Sequence, residues 1–422
     1  MLYIKSVHNI QWQPAKSRNP KPELIQLEAD GAVASVTFLA SGRVAKWLRL
    51  PGWQRQPLMR VDWLGAALIL AVSVVFRLGW MHFMRGDSSV AELLIRWDGQ
   101  HFLDIAKYGY LTATGEGLPE ADIYHTRLAF FPGLPMLMRA IHSISGMEYM
   151  WAGVLIASIA SYFMLVAIMA LAGLMGAQLP ARLAAAVMLA GAPLNITFMM
   201  VYTEAPFLAL ALWALVAVIY QRWLYAAILI SIAGLFRLTT IDLVLAFAVV
   251  VAIYATKNLR AWAAVIFSML PMVGYLWWAS SYTRDIGGYF GLQKKGWHSS
   301  FDFGVATVRW ISRRLQGSQE IAYIFSIIVI VVAVAMVFFA FRRLPWAYWL
   351  FSAAVVANVV LSDGIMTSRP RLLLPAVLLF LPWVIELGDW IGRRKWLTIA
   401  IGYGLAGSWF SIHMITVFPY AI

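Results

Sequence analysis

Residues 149–175 read YMWAGVLIASIASYFMLVAIMALAGLM, and this stretch contains no charged side chain. A helix needs roughly 20 consecutive apolar residues to cross the hydrocarbon core of a bilayer. A helix also satisfies every backbone polar group within the segment, which lipid cannot do. The stretch therefore predicts a transmembrane α-helix and places the chain among integral membrane proteins.

Similar apolar runs occur on both sides of this stretch. They lie at about 61–82, 128–145, 181–200, 203–221, 223–237, 239–256, 260–283, 320–341, 345–361, 371–391 and 396–418. Gly133 and Pro135 interrupt the run at 128–145, so this run is expected to be re-entrant or unusually short. We expect an all-α polytopic membrane protein with about 10–12 transmembrane helices, in which residues 61–422 form one integral membrane domain.

The composition agrees with this class and excludes several others. Hydrophobic residues make up 62% of the chain and charged residues 13%, whereas charged residues are about a quarter of a typical soluble domain. Because the sequence has no cysteine, it has no disulfide, iron–sulfur cluster or thiolate metal site. We attribute the net charge of +13 to Lys and Arg in cytoplasmic segments and not to a nucleic-acid partner.

Charge also predicts the orientation of the chain. Residues 1–60 carry nine Lys or Arg against three Asp or Glu, so we interpret this segment as a basic cytoplasmic tail, partly disordered. The first loop, 84–126, carries seven carboxylates against three basic residues and is expected on the outer side. These observations predict an integral membrane protein whose site faces outside; we expect the membrane to be a bacterial plasma membrane.

The first loop contains an unusual polar and aromatic stretch, WDGQHFLDIAKYGY at 97–110. Asp98, His101 and Phe102 are three and four residues apart, so they would share one face of a helix. We predict a short amphipathic helix at the membrane interface. Alternatively, Asp98 is only the N-cap of that helix, and the aromatic residues belong to the interfacial aromatic belt.

Six polar residues beside or inside later apolar runs are predicted on the same side as this loop. They are Asn195, Tyr202, Glu204, Arg237, Arg369 and Arg371. An ionisable residue at membrane depth is costly and is usually paired or functional. One interpretation is a structural Glu204–Arg237 pair. In the functional interpretation, carboxylates deprotonate or orient a hydroxyl, while the arginines hold a phosphate through forked hydrogen bonds.

Other chemical signals are weaker. The seven histidines are scattered, without metal-ligand spacing, and no glycine-rich loop of the Walker type is present. We therefore expect neither a metal site nor ATP hydrolysis. Lys294, Lys295 and Trp297 form a basic aromatic patch in the loop 284–319, for which contact with anionic lipid head groups is the preferred interpretation over a substrate site.

Residues 96–110, RWDGQHFLDIAKYGY, resemble the first-loop signature of the PIG-V family of mannosyltransferases, which are multispanning enzymes of the GT-C superfamily. Three further segments resemble blocks of the same family in the same order. They are LAFFPGLP at 128–135, PLNITFMMVYTEAPF at 193–207 and FRLT at 236–239.

This resemblance implies a glycosyltransferase of glycolipid biosynthesis that works without a metal or other cofactor. Its donor would be polyprenyl-phosphate mannose, and its acceptor a hydroxyl of an outer-facing, lipid-linked glycan or glycolipid. Transfer would invert the anomeric carbon. Under this hypothesis Asp98 is the catalytic base, with Asp104 and Glu204 as the next candidates.

The substrate-binding residues implied by this hypothesis surround the base. They are Trp97, His101, Phe102, Asp104, Asn195, Tyr202, Glu204, Arg237, Arg369 and Arg371. Arg237, with Arg369 or Arg371, would bind the leaving phosphate, and Trp97, Phe102 and Tyr202 would flank a sugar ring. His101 would orient the acceptor hydroxyl or Asp98.

Three alternatives stay open at the level of sequence. A GT-C transferase could use a different polyprenyl-phosphate sugar. A lipid or glycan transporter could use Glu204 and Arg237 as part of a substrate or proton pathway, although no internal symmetry of the kind common in transporters is evident. A non-catalytic assembly subunit would need Asp98 only as a helix cap.

Overall fold

The computed structural model describes residues 57–112, 126–317 and 320–420. The predicted tail at 1–60 lies almost entirely outside these residues, as does part of the first loop. The described residues form seventeen α-helices, joined by turns and short 3₁₀ segments, and they contain no β-strand. The prediction of an all-α polytopic membrane protein is confirmed.

The helices are numbered here in chain order. They are α1 (Arg60–Met84), α2 (Val90–Leu94), α3 (Asp98–Tyr108), α4 (Gly133–Ser145), α5 (Tyr149–Leu174), α6 (Leu179–Ala190), α7 (Glu204–Ile219), α8 (Trp223–Ala233), α9 (Thr240–Tyr254), α10 (Leu259–Tyr282), α11 (Gly288–Trp297), α12 (Val305–Gly317), α13 (Ile321–Ala340), α14 (Trp346–Val360), α15 (Arg369–Leu372), α16 (Leu381–Trp390) and α17 (Arg393–Thr416).

Four described helices, α1, α5, α10 and α13, are long and apolar enough to cross a membrane. A fifth candidate is a broken span, in which the segments Met366–Leu372 and Leu374–Trp390 meet at a bend of 56°. Helices α6, α7, α8, α9 and α14 are apolar but only 10–17 residues long. The length criterion thus supports four or five spans, and the larger number expected from the sequence stays a prediction.

Several apolar runs of the sequence are interrupted in the structure. The run at 128–145 yields only the 13-residue helix α4, in agreement with the break expected there. The run at 181–200 ends as a helix at Ala190 and continues through the 3₁₀ turn Asn195–Phe198. Proline cannot donate a backbone hydrogen bond, and Pro370, Pro375 and Pro382 accompany the interruptions between 369 and 390.

The core lies among the helices that are buried on most sides. Helix α5 packs on α7, α7 on α8, and α8 on α10, while α1 packs on α6 and α17. Helix α7 is apolar around its whole circumference and is almost entirely buried, as expected for a central helix. A buried ion pair of 2.8 Å between Asp62 and Arg182 joins α1 to α6.

Hydrogen bonds between irregular segments bring the first loop to the later motifs. The amide of Val201 donates to the carbonyl of Leu94 across 3.0 Å, and the hydroxyl of Tyr202 donates to the carbonyl of Arg96, also across 3.0 Å. These contacts place the start of α3 beside the start of α7. The predicted amphipathic helix is confirmed as α3, with Phe102, Leu103 and Ile105 on its buried face.

Candidate functional site

A cavity of about 280 Å³ opens where α3, α11 and α15 meet the turns at 129–131, 203 and 236–239. The segment 358–365 closes another side. The lining side chains with charge, amide groups or large aromatic rings include Asp98, Phe102, Arg237, Tyr289, Gln293, Trp297, Asn358, Asp363, Arg369 and Arg371. Five of the eleven residues predicted for the site, Asp98, Phe102, Arg237, Arg369 and Arg371, therefore line one cavity.

Asp98 forms an ion pair with Arg371, in which the Nη2 atom of the arginine lies 2.6 Å from Oδ2 of the carboxylate. Asp98 is the first residue of α3, and the N-cap position is occupied by Trp97. The alternative in which Asp98 is merely the N-cap is therefore wrong. The carboxylate instead lies in the first turn, where the helix dipole favours negative charge.

Glu204 connects this ion pair to a second arginine. Its Oε1 atom lies 2.7 Å from Nη1 of Arg237 and 3.5 Å from Nη1 of Arg371. The side chain of Glu204 is 3% exposed, so these two guanidinium groups, and not water, balance its negative charge. We call Asp98, Glu204, Arg237 and Arg371 the charge cluster. It contains two carboxylates and two guanidinium groups, so their formal charges cancel.

Two neighbours hold the cluster in place. The guanidinium carbon of Arg371 lies 5.1 Å from the ring centroid of Tyr202, within the range of a cation–π contact. Thr203 accepts a hydrogen bond of 3.1 Å from Arg237. Tyr202 is fully buried and does not line the cavity, so the structure places it beneath Arg371 and not against a cavity ligand.

Arg369 lines the same cavity but has a different environment. Its guanidinium donates to Oγ1 of Thr307 and, across 2.5 Å, to the carbonyl oxygen of Ser362. Within residues 57–112, 126–317 and 320–420, no carboxylate lies within ion-pair distance of Arg369. Both acceptors are neutral, but the negative charges of Asp363 and Asp302 lie close enough to act on the guanidinium.

Trp97 has a strained backbone directly before Asp98. Its φ is +56° and its ψ is −114°, a combination that costs a non-glycine residue about 1–3 kcal/mol. The indole ring does not line the cavity; the Arg96 guanidinium lies 4.9 Å from its centroid. The structure therefore gives Trp97 a part in the turn that sets the direction of α3, and does not bring its ring to the cavity.

Two side chains of α3, His101 and Phe102, pack with Phe130 and form an aromatic layer next to Asp98. Phe102 lines the cavity and meets Phe130 edge-on, with ring centroids 5.1 Å apart. His101 stacks on the ring of Phe130, with centroids 4.8 Å apart. Burial lowers the pKa of His101, while the charges of Asp98 and Asp104 act in the opposite direction. Neither His101 nor Asp104 is among the cavity-lining residues.

Asn195 is the predicted residue that the structure places in a different environment altogether. Its Oδ1 accepts a hydrogen bond of 2.9 Å from Nε of Arg77, and both side chains are buried. Arg77 also donates to the carbonyl of Ala190 across 3.1 Å. A buried guanidinium needs such acceptors, so Asn195 serves Arg77 and is not brought to the cavity.

Several cavity residues were not predicted from the sequence. Asp363 lies in a short Asp-Gly turn between two apolar runs, and this turn signal at membrane depth could have drawn attention to it. Trp297 was noted, but lipid contact was the preferred interpretation of its patch. Trp297 lines the cavity, whereas Lys294 and Lys295 do not. The structure thus brings Trp297 to the cavity, while lipid contact of the patch stays a prediction.

The fold and the cavity define an all-α integral membrane protein with a charged, aromatic-lined cavity. No protein-family model matches the chain, and a comparison with curated proteins finds no matching relative. In the described part of the chain, no group of three His, Asp or Glu side chains is placed to hold a metal ion. The chemical groups that line the cavity include carboxylates, arginines and aromatic rings.

Proposed function

We propose that this protein is a membrane glycosyltransferase similar to the PIG-V family. It transfers mannose from polyprenyl-phosphate mannose to a hydroxyl of an outer-facing, lipid-linked glycan, with inversion at the anomeric carbon. The observation that carries the proposal is that Asp98 meets Arg237, Arg369 and Arg371 around one cavity. A carboxylate can accept a proton from a hydroxyl, and planar guanidinium groups bind phosphate oxygens in pairs.

An apolar groove beside the cavity supports an amphiphilic substrate. The groove has a volume of about 430 Å³ and is lined almost entirely by apolar side chains of α6, α13, α16, α17 and the segment 370–380. Pro370 and Leu373 line this groove, whereas Arg369, Arg371 and Leu372 line the cavity. Helix α15 thus separates a charged space from an apolar one. A phosphate joined to a hydrocarbon chain matches both spaces, with the phosphate suited to the charged cavity and the chain to the apolar groove.

The contacts of the charge cluster suggest the order of events. The carboxylate of Asp98 is paired with Arg371 at 2.6 Å, so in this state the guanidinium occupies the oxygen that would take up a proton. A phosphate that binds Arg237 and Arg371 competes for those guanidinium groups and loosens the hold on Asp98. Donor binding would therefore prepare the base before the acceptor reacts.

The transfer step forms one bond to the anomeric carbon and breaks another. Asp98 takes the proton of the acceptor hydroxyl, and the hydroxyl oxygen forms a bond to the anomeric carbon. The bond from that carbon to the phosphate oxygen breaks, and the phosphate leaves with the electron pair. Arg237, Arg369 and Arg371 would stabilise the negative charge that develops on the leaving phosphate.

A transfer assay with purified protein tests this proposal. Polyprenyl phosphates carrying radiolabelled mannose, glucose or arabinose are supplied together with octyl mannoside as an amphiphilic acceptor, and labelled acceptor is measured. We expect transfer of mannose by the unaltered protein and none by Asp98→Asn. The exposed residue Asp87 provides a matched control, because Asp87→Asn should transfer normally.

The same assay separates the alternatives. Transfer of glucose or arabinose in preference to mannose would identify a different donor and overturn the mannosyl assignment. In proteoliposomes, movement of the intact lipid across the bilayer without release of sugar would indicate a transporter. Absence of both activities would indicate a non-catalytic subunit.

A further inference from the structure

The cavity has a second group of lining residues, Gln293, Trp297 and Asp363, to which the proposed transfer step assigns no role. They come from α11 and from the turn after α14. None of the three belongs to the charge cluster. The ring of Trp297 meets Phe130 nearly perpendicularly, at 82° and 5.5 Å between centroids, so its plane is fixed against the aromatic layer of α3.

Gln293 presents a fixed hydrogen-bond acceptor. Its amide nitrogen donates to the carbonyl of Ala129 at 3.2 Å and contacts the hydroxyl of Tyr289 at 2.9 Å. A carbonyl oxygen can only accept, so the amide nitrogen must be the atom on that side. The amide oxygen of Gln293 is consequently left to accept hydrogen bonds from elsewhere.

Asp363 presents a second acceptor on a rigid turn. Its amide donates to the carbonyl of Ser300 across 2.7 Å, and its Oδ1 accepts a hydrogen bond of 2.7 Å from the amide of Gly364. Gly364 has a φ of +136°, which favours glycine there. Within the described parts of the chain Asp363 forms no ion pair, so it keeps acceptor capacity on its second oxygen.

We propose that Gln293, Trp297 and Asp363 form a subsite that recognises the sugar ring of the donor. This inference rests on the proposed function. An indole face can cover the apolar side of a sugar ring, while the carboxylate and the amide oxygen accept hydrogen bonds from its hydroxyl groups. The donor is thus oriented with its phosphate on the arginines and its sugar on this subsite.

Binding measurements on the full chain in lipid nanodiscs test the subsite. The two probes are polyprenyl-phosphate mannose and polyprenyl phosphate without a sugar. We expect Asp363→Asn and Trp297→Ala to weaken binding of the sugar-bearing probe by about tenfold or more, which corresponds to about 1.4 kcal/mol. Binding of the sugar-free probe should change by less than about twofold.

Two controls make the result specific. Asp285 is exposed and lies just before α11, so Asp285→Asn should leave the affinities for both probes unchanged. Trp297→Phe retains an aromatic face and should recover part of the affinity that Trp297→Ala loses. The unfolding temperature of each variant is measured in parallel, and only variants that remain folded are compared.

The outcomes distinguish this inference from the proposed function. Unchanged binding of both probes by Asp363→Asn and Trp297→Ala would overturn the subsite. An equal loss for both probes would also overturn it, since that result indicates a scaffold role. If the unaltered protein binds neither probe, the proposed function itself fails. Selective loss of the sugar-bearing probe supports the subsite.

Discussion

The guanidinium of Arg371 contacts the carboxylate of Asp98 across 2.6 Å, although the two residues lie far apart in the sequence. The proposed base is thus held directly by a proposed phosphate ligand. The sequence analysis assigned these two roles to different residues without predicting a contact between them. Their contact instead couples the two roles, because any anion that binds Arg371 competes with Asp98 for the same guanidinium.

The first prediction concerns Asp98 itself. The Asp98→Asn variant should lose transfer activity by about 10²–10⁴-fold, the usual contribution of a positioned general base. The amide retains the shape of the side chain and an acceptor for Arg371, and Asp98 is 23% exposed against 3% for Glu204, so the protein should stay folded with a modest loss of stability. Turnover with polyprenyl-phosphate mannose and the unfolding temperature are measured together. Near-normal turnover would exclude Asp98 as the base.

The second prediction concerns Glu204, which bridges Arg237 and Arg371. In Glu204→Gln the cluster keeps both arginines but only one carboxylate, in a buried setting. Removing one partner of a buried ion pair typically costs about 3–5 kcal/mol of unfolding free energy. We therefore expect a clearly lower unfolding temperature in detergent.

The exposed ion pair between Arg343 and Glu386 provides the control for this change. Its side chains are 49% and 66% exposed, and such pairs contribute about 0–1 kcal/mol. Glu386→Gln should therefore leave the unfolding temperature nearly unchanged. Equal destabilisation of the two Glu→Gln variants would show that burial does not make the ion pairs of Glu204 more important for stability than an exposed pair.

The sequence predicted the fold class well because long apolar runs form transmembrane helices in lipid. It also predicted α3, because Asp98, His101 and Phe102 recur at helical spacing. The true helix ends at Ala190 and the bend between 372 and 374 were not placed, since a broken apolar segment has nearly the same hydropathy as a continuous one.

The candidate site was predicted in part for a related reason. Asp98, Arg237, Arg369 and Arg371 are charged residues beside apolar runs, which makes them conspicuous. Asn195 has the same signal but pairs with the buried Arg77, and composition cannot show which polar residues face each other. Such pairings depend on tertiary packing and need the three-dimensional structure.

The third prediction concerns Gly133 at the start of α4. Its amide donates to the carbonyl of Leu235 across 2.7 Å, and an added Cβ would lie 2.8 Å from that oxygen and 2.9 Å from the ring of Phe236. Gly133→Ala should therefore push α4 away from the turn that carries Arg237. Overpacking of this kind costs about 1–3 kcal/mol, and activity should fall with stability.

Gly274 in α10 is the matched glycine for this test. An added Cβ at Gly274 would meet no heavy atom within 4 Å, so Gly274→Ala should be neutral or stabilise the helix by up to about 1 kcal/mol. Unfolding temperature and mannose transfer are compared for both variants. Equal effects at the two positions would contradict the close approach at Gly133.

The fourth prediction concerns pH and His101. Burial lowers the pKa of His101 from its usual value of 6.5. As the pH falls below about 6.5, the unfolded chain takes up a proton at this position before the folded protein does. The contribution of neutral His101 to the free energy of unfolding is complete above the pKa of this residue in the unfolded chain. It is lost as the pH falls toward the lower pKa of His101 in the folded protein. Between about pH 7 and pH 5, the unfolding temperature of His101→Gln should therefore fall by less than that of the unaltered protein. Equal falls would show that His101 does not titrate with a lowered pKa.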